Sequence, residues 1–161
     1  ACFSGVVYWW RLRSINAMNL WIILTLLLMP SIAGAACFEQ AAQRYQVPVE
    51  LLKAISTVES NGNPNAVNTN KNGSVDVGHM QINDWWLPKL EPYGITKEKL
   101  KDPCINTNVG AWILAQSIAT HGFTWKAIGA YNATTGYKRL IYARKVEAVL
   151  SKLTSVQVAT K

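Results

Sequence analysis

The chain has 161 residues, half of them hydrophobic and 16% charged, with 16 Lys and Arg against 9 Asp and Glu for a formal net charge of +7. A chain of this length builds one core and leaves too little for a second module. The basic residues are scattered rather than clustered, which argues against a nucleic-acid partner, while the positive balance favours some other anionic polymer.

Residues 1–35 read as a signal-peptide region. Arg11 and Arg13 precede an apolar run from Leu20 to Met29, followed by Pro30 and the small-residue site Ala33-Gly34-Ala35, so cleavage is expected before Ala36. The run of ten residues is short for a bilayer span, and no later segment is longer, so the mature chain is expected to carry no stable membrane span. Met18 offers another start, which would make residues 1–17 upstream sequence and remove both arginines from the segment. Taking 35 residues from 161 leaves 126, residues 36–161, for one domain of charge about +5, with fourteen Lys and Arg against nine Asp and Glu. Cys37 and Cys104 are then the only cysteines. In an oxidising compartment such a pair is expected to be bridged, closing a loop worth about 4 kcal/mol on the chain-entropy argument. The competing reading is a lipid anchor on Cys37, but the preceding Gly34-Ala35-Ala36 lacks the leucine usual before a lipidated cysteine.

The first helical pattern runs from Gln40 to about Glu59, with a break expected near Pro48. Proline suits a first helical position because it lacks only an N–H that would have no partner there. Leu51, Leu52, Ile55 and Val58 follow at helical spacing, placing Leu51, Ile55 and Glu59 on one face. A carboxyl that continues an apolar stripe loses solvation, which disfavours its charged form and suits it to donate a proton. The opposing reading makes Glu59 a solvated carboxylate at a fraying helix end, which Asn61-Gly62-Asn63-Pro64 terminates. Residues 61–76 are rich in Asn and Gly, and Asn72-Gly73 before Val75 and Val77 predicts a small hairpin. Asp102-Pro103 caps a helix that runs through Ile105, Val109, Trp112, Ile113 and Gln116 to His121-Gly122. Thr124 caps a short helix through Trp125, Ile128 and Tyr131, and a last helix begins at about Tyr137 with Tyr142, Val146, Val149, Leu150 and Leu153 on its inner face. The predicted fold class is mainly α with a small β-hairpin region.

Four short motifs stand in order along these elements: Glu59-Ser60, Gly78-His79-Met80-Gln81, Ala130-Tyr131-Asn132 and Tyr142. Over about residues 37 to 150 the chain resembles the SLT-type lytic transglycosylases, of lysozyme-like fold, and most of all the small members associated with secretion or conjugation. The resemblance implies Glu59 as the catalytic acid and Ser60, Gly78, Met80, Gln81, Tyr131, Asn132 and Tyr142 as residues at the glycan. The chemistry suits them. Gly78 would allow close backbone approach to a sugar, Met80 an adaptable apolar contact, and the carboxamides of Gln81 and Asn132 two-way hydrogen bonds to hydroxyl and acetamido groups. Tyr131 and Tyr142 would offer a ring to glycan or core and a hydroxyl to the acid.

Two residues depart from the family pattern. His79 stands where a branched apolar residue is usual and is expected at the surface without a catalytic role; Thr134 replaces a common glycine, which puts the geometry of its loop in question. Asp76, on the predicted hairpin, is an auxiliary catalytic candidate that could support an oxocarbenium-like transition state. Its plainer role is a turn aspartate holding nearby N–H groups. Residues 68–73 imitate the first half of a calcium loop, but the first ligand position is not acidic and the twelfth is His79, so no metal is expected, nor any other cofactor. Of seven tryptophans, Trp9, Trp10 and Trp21 fall in the segment expected to be removed, Trp112 fits the core, and one of Trp85 and Trp86 is expected at the glycan with the other packed inward.

The resemblance thus implies a periplasmic catalytic domain over residues 36–161 that cleaves peptidoglycan strands to 1,6-anhydromuramoyl products, serving a secretion or conjugation apparatus. A hydrolytic muramidase is the near rival, favoured if Asp76 faces Glu59. A non-catalytic glycan-binding adaptor of a secretion complex is the rival from another class.

Overall fold

The computed structural model of the protein describes residues 37–159, and side chains as far as Ser155 and Val156. The expected signal-peptide region and the choice of start at Met18 lie outside the described residues.

Helix α1 (Phe38–Tyr45) ends at Gln46, which adopts a left-handed φ of 54°, and Pro48 then starts α2 (Val49–Ser60). The expected break near Pro48 is therefore present. Asn61, at φ 55°, stops α2 and returns its N–H to the carbonyls of Ser56 and Thr57. A left-handed asparagine is a common way to satisfy the last carbonyls of a helix. Three short strands follow, β1 (Val67–Thr69), β2 (Val75–Val77) and β3 (Ile82–Asn83), paired antiparallel in that order with Asn68 opposite Asp76 and Asp76 opposite Asn83. The hairpin was legible in the sequence, whereas β3 and the four-residue α3 (Leu87–Leu90) were not.

Helix α4 (Pro103–His121) is capped by Asp102, whose side chain accepts the Ile105 N–H at 2.8 Å. Thr124 caps α5 (Trp125–Asn132), and α6 (Gly136–Ala159) closes the domain against α2 and α5. The α5–α6 crossing is close enough that a Cβ on Gly129 would lie 2.5 Å from the Arg139 carbonyl oxygen, so only glycine fits there. Leu51, Leu52 and Ile55 of α2, Val77 and Ile82 of the sheet, Leu114 of α4 and Val146 of α6 are all at most 2% exposed and form one core. Burial of large aliphatic side chains at this level contributes about 1.5–3 kcal/mol each. The Cys37–Cys104 bridge ties the start of α1 to the first turn of α4, with Cα atoms 4.9 Å apart.

Between β2 and β3 the chain makes a tight turn with φ 77° at Gly78 and φ 48° at Gln81. This turn corrects the expectation for His79, which is 2% exposed rather than on the surface. Its Nδ1 lies 2.8 Å from Ser56 Oγ of α2, and its Nε2 lies 3.1 Å from the Pro103 carbonyl and 3.0 Å from Thr107 Oγ1 of α4. A neutral ring with the proton on Nε2 satisfies this network, donating toward Pro103 and accepting from Ser56. Burial lowers the His79 pKa, partly offset by the Pro103 carbonyl. The ring bonds α2 to α4, and the edge-to-face contact of Phe38 at 5.5 Å covers it.

Candidate active site

Glu59 occupies the last turn of α2, one turn beyond the buried Ile55, and is half-buried at the floor of an open cleft of about 800 Å³. Tyr142 of α6 donates its hydroxyl to Glu59 Oε1 at 2.6 Å, and Asn132 at the end of α5 reaches the same oxygen with Nδ2 at 3.4 Å. Three helices thus converge on one carboxyl oxygen. Burial raises the Glu59 pKa; the bonds from Tyr142 and Asn132 act against the rise, the Asp76 charge adds to it, and Lys145 opposes it. Desolvation wins, so Glu59 keeps its proton to higher pH than an ordinary glutamate, which is what a glycosidic acid requires.

The supporting residues are fastened by backbone groups as well. Tyr131 of α5 donates its hydroxyl to the Met80 carbonyl at 2.9 Å, and its ring stacks on that of Tyr142 with centroids 6.4 Å apart and planes 16° apart. Burial pushes both phenols upward in pKa, so each remains a hydrogen-bond donor. Gln81 lines the cleft and donates to the Gly78 carbonyl at 2.9 Å. Asp76 also lines the cleft, and neighbouring carboxamides hold both its oxygens: Asn83 at 2.7 Å on one, Asn70 at 2.8 Å and Asn68 at 3.4 Å on the other. Two residues of the segment that imitates a calcium loop, Asn68 and Asn70, are therefore turned to Asp76, and among the described residues no three His, Cys, Asp or Glu side chains gather at a metal-binding spacing.

The structure brings Glu59, Asp76, Gln81, Tyr131 and Asn132 to one cleft, with Tyr142 behind Glu59. Three others make their contacts within the protein. Met80 is fully buried and does not reach the cleft; its side chain packs on α4 at Gly110. Gly78 makes a close approach to Asn106 of α4, where an added Cβ would lie 2.3 Å from Nδ2. Ser60 donates to the His79 carbonyl at 3.0 Å and so secures the turn behind the acid. Thr134 borders the cleft, and no residue from 133 to 135 has a positive φ, so its loop has no position that demands glycine. Trp85 and Trp86 both line the cleft; Trp85 is 65% exposed, while Trp86 also packs against the core and meets Trp112 edge-on at 5.4 Å, so the expected division into one cleft residue and one inner residue holds only in part.

Asn106 was missed. It is fully buried in α4, accepts the Met80 N–H at 2.8 Å, and donates to the carbonyls of Val77 and Leu100 at 2.9 and 2.8 Å. A carboxamide one turn before Val109 and Gly110 on an otherwise apolar face was the available signal. It fixes the turn whose Met80 carbonyl holds Tyr131.

The helical domain with its small sheet thus presents one desolvated glutamate in an open cleft, with amide and phenol donors around it. The family model for the transglycosylase SLT domain matches residues 36–148. Invasion protein IagB of Salmonella typhi is 41% identical over 145 residues, covering 87% of this chain and 91% of its own length. Protein IpgF of Shigella flexneri is 40% identical over 134 residues, covering 80% and 88%. Among solved structures, an inactive mutant of lytic transglycosylase Slt from Pseudomonas aeruginosa shares the fold with a TM-score of 0.59 at 20% identity, over 74% of this chain and 24% of that longer one. The chain belongs to the transglycosylase SLT family and is a peptidoglycan lytic transglycosylase, of the kind related to IagB and IpgF.

Proposed function

We propose that the enzyme cuts the β-1,4 bond between N-acetylmuramic acid and N-acetylglucosamine and leaves 1,6-anhydromuramoyl ends. Glu59 gives its proton to the glycosidic oxygen as the C1–O bond breaks. The muramoyl 6-hydroxyl oxygen then attacks C1, and its proton passes to the Glu59 carboxylate, restoring the acid without consuming water. The nucleophile belongs to the substrate, so a single protein carboxyl suffices. What carries this reading is Glu59 itself, desolvated and held by Tyr142 at 2.6 Å, beside an Asp76 whose two oxygens already accept three carboxamide donors. A carboxylate so engaged is suited to electrostatic support of positive charge and poorly suited to nucleophilic attack.

The muramidase reading keeps one observation in its favour, that Asp76 and Glu59 line the same cleft. Mass spectrometry of released muropeptides separates the two, because anhydro ends lack the water that a hydrolase adds. Anhydro ends are expected from wild type and, at a lower rate, from Asp76→Asn. Mainly reducing ends, with Asp76→Asn as inactive as Glu59→Gln, would move the assignment to a two-carboxylate muramidase. The names of the relatives, an invasion protein among them, support local opening of the wall for a secretion or conjugation apparatus. The signal-peptide pattern of Arg11, Arg13 and the apolar run from Leu20 to Met29 supports export to the periplasm directed by residues 1–35. N-terminal sequencing of exported protein tests the last point, with Ala36 as the expected first residue.

A further inference from the structure

The outer face of α5 and of the first turns of α6 is both apolar and basic. From Pro103 to Val146 the chain has no Asp or Glu, yet it has Lys126, Lys138, Arg139, Arg144 and Lys145. Lys138 borders the active-site cleft and the Lys145 charge acts on Glu59, which leaves Lys126, Arg139 and, one turn before Glu147, Arg144 to the outer face. The ion pairs among the described residues, Lys53–Glu39, Lys97–Asp84 and Lys101–Glu98, use none of the three. Arg139 is fixed by donation from Nε to the Ala133 carbonyl at 2.9 Å. Between these cations stand exposed apolar side chains. Trp125 and Leu140, 42% and 48% exposed, line a shallow groove of about 280 Å³ together with Lys126, Gly136, Arg139 and Ala143. Phe123, just before the Thr124 cap, is exposed as well, and Tyr137, Leu140, Ile141 and Arg144 recur along α6 at the spacing of one exposed helical face. No residue of this groove lines the catalytic cleft.

An apolar patch set among cations is a surface for something both apolar and anionic. A second copy presenting the same face would set cations against cations. The groove is too short for the row of anchors by which an amphipathic helix docks, and Phe123 and Tyr137 are not part of it. A lipid surface imposes neither constraint, because rings and aliphatic chains enter the headgroup layer at separate points while lysine and arginine stems lie along it with their charges at the phosphates. We infer that this face docks on an anionic phospholipid surface, with Trp125 and Leu140 entering among the headgroups and Lys126, Arg139 and Arg144 meeting their phosphates. No helix among the described residues is long and apolar enough to cross a membrane, so the attachment is peripheral, and salt weakens it.

Protein without residues 1–35 keeps every described element and loses the apolar run that would itself bind lipid. It is sedimented with vesicles of phosphatidylglycerol and phosphatidylethanolamine, and separately with vesicles of phosphatidylcholine alone. Binding is expected to the first and not to the second, and should decrease as salt is raised. K126Q and L140Q should each lower the partition coefficient about five-fold, one through lost charge and the other through lost apolar insertion, while K126R retains binding. Neither residue lines the cleft, so kcat/KM on solubilised glycan strands should stay within about two-fold of wild type in both variants. Brominated acyl chains should quench tryptophan fluorescence in wild type and quench it less in W125F. Equal binding to both kinds of vesicle, binding to neither, or binding unchanged in K126Q or in L140Q overturns the inference. Capture of polyglutamate without vesicle binding would also overturn it and give the face to an acidic protein segment. Dimerisation abolished by L140Q, again without vesicle binding, would overturn it in favour of a second copy.

Discussion

Replacing Tyr142 by Phe removes one hydroxyl from the site and leaves the rest of the side chain in place. The ring is 6% exposed and stacks on Tyr131, so Phe fills the same space without a cavity. What is lost is the 2.6 Å donation to Glu59 Oε1, leaving Asn132 at 3.4 Å as the remaining donor to that oxygen among the described side chains. A hydrogen bond to a charged group contributes about 1.5–3 kcal/mol. In the proposed mechanism Glu59 becomes a carboxylate at the transition state, so losing that amount there lowers kcat by roughly 10- to 100-fold. The same bond is the largest influence holding the Glu59 pKa down against burial, so the alkaline limb of the pH–rate profile should move upward. Turnover of solubilised glycan strands across pH, with thermal melting as a control for folding, provides the assay. A folded Tyr142→Phe variant with kcat within about two-fold of wild type and an unmoved limb would refute the reasoning.

Glu59→Gln should abolish turnover and raise thermal stability at neutral pH. The folded-state pKa of Glu59 lies above its unfolded value, so its charged form costs stability above the folded pKa, and that cost is absent below the unfolded one. The advantage of Gln should therefore shrink as pH falls through the carboxylate range, and a pH-independent difference in melting would contradict the desolvation argument. Cys37→Ser with Cys104→Ser removes a crosslink between residues 67 apart and should cost about 4 kcal/mol, read from denaturant midpoints; equal midpoints would show that the bridge constrains little. Asn106→Ala leaves the Met80 N–H and the carbonyls of Val77 and Leu100 without their partner and should cost about 3 kcal/mol or more, with activity reduced at temperatures where the variant stays folded. Full activity and unchanged melting in that variant would remove Asn106 from the account of the site.

Much of the fold was legible because its signals are local. Asp102-Pro103, Thr124 and Asn61-Gly62 mark helix ends through groups only three to five residues away, and the structure has helix boundaries at each of them. Helix α3 and strand β3 escaped because four residues and two residues carry no readable period. His79 was misplaced for a related reason. A histidine reads as polar in sequence, and its burial depends on Ser56, Pro103 and Thr107, partners 23 to 28 residues away.

By itself, the sequence determined the mainly helical class, the apolar stripe that ends on Glu59, and the ordered motifs that identify the family. Those depend on periodicity and residue chemistry, which the chain carries wherever it is folded. Only the tertiary structure decided which motif residues line the cleft and which are engaged within the protein. Met80, Gly78 and Ser60 carry the motif yet hold the turn behind the acid, while Asn106, outside every motif, locks that turn from α4. The protonation bias of Glu59 is tertiary too, because its desolvation and its bonds come from helices whose contributing residues lie 73 and 83 positions away. A backbone period places a side chain on a face, but what that face meets is set by packing between elements distant in the chain.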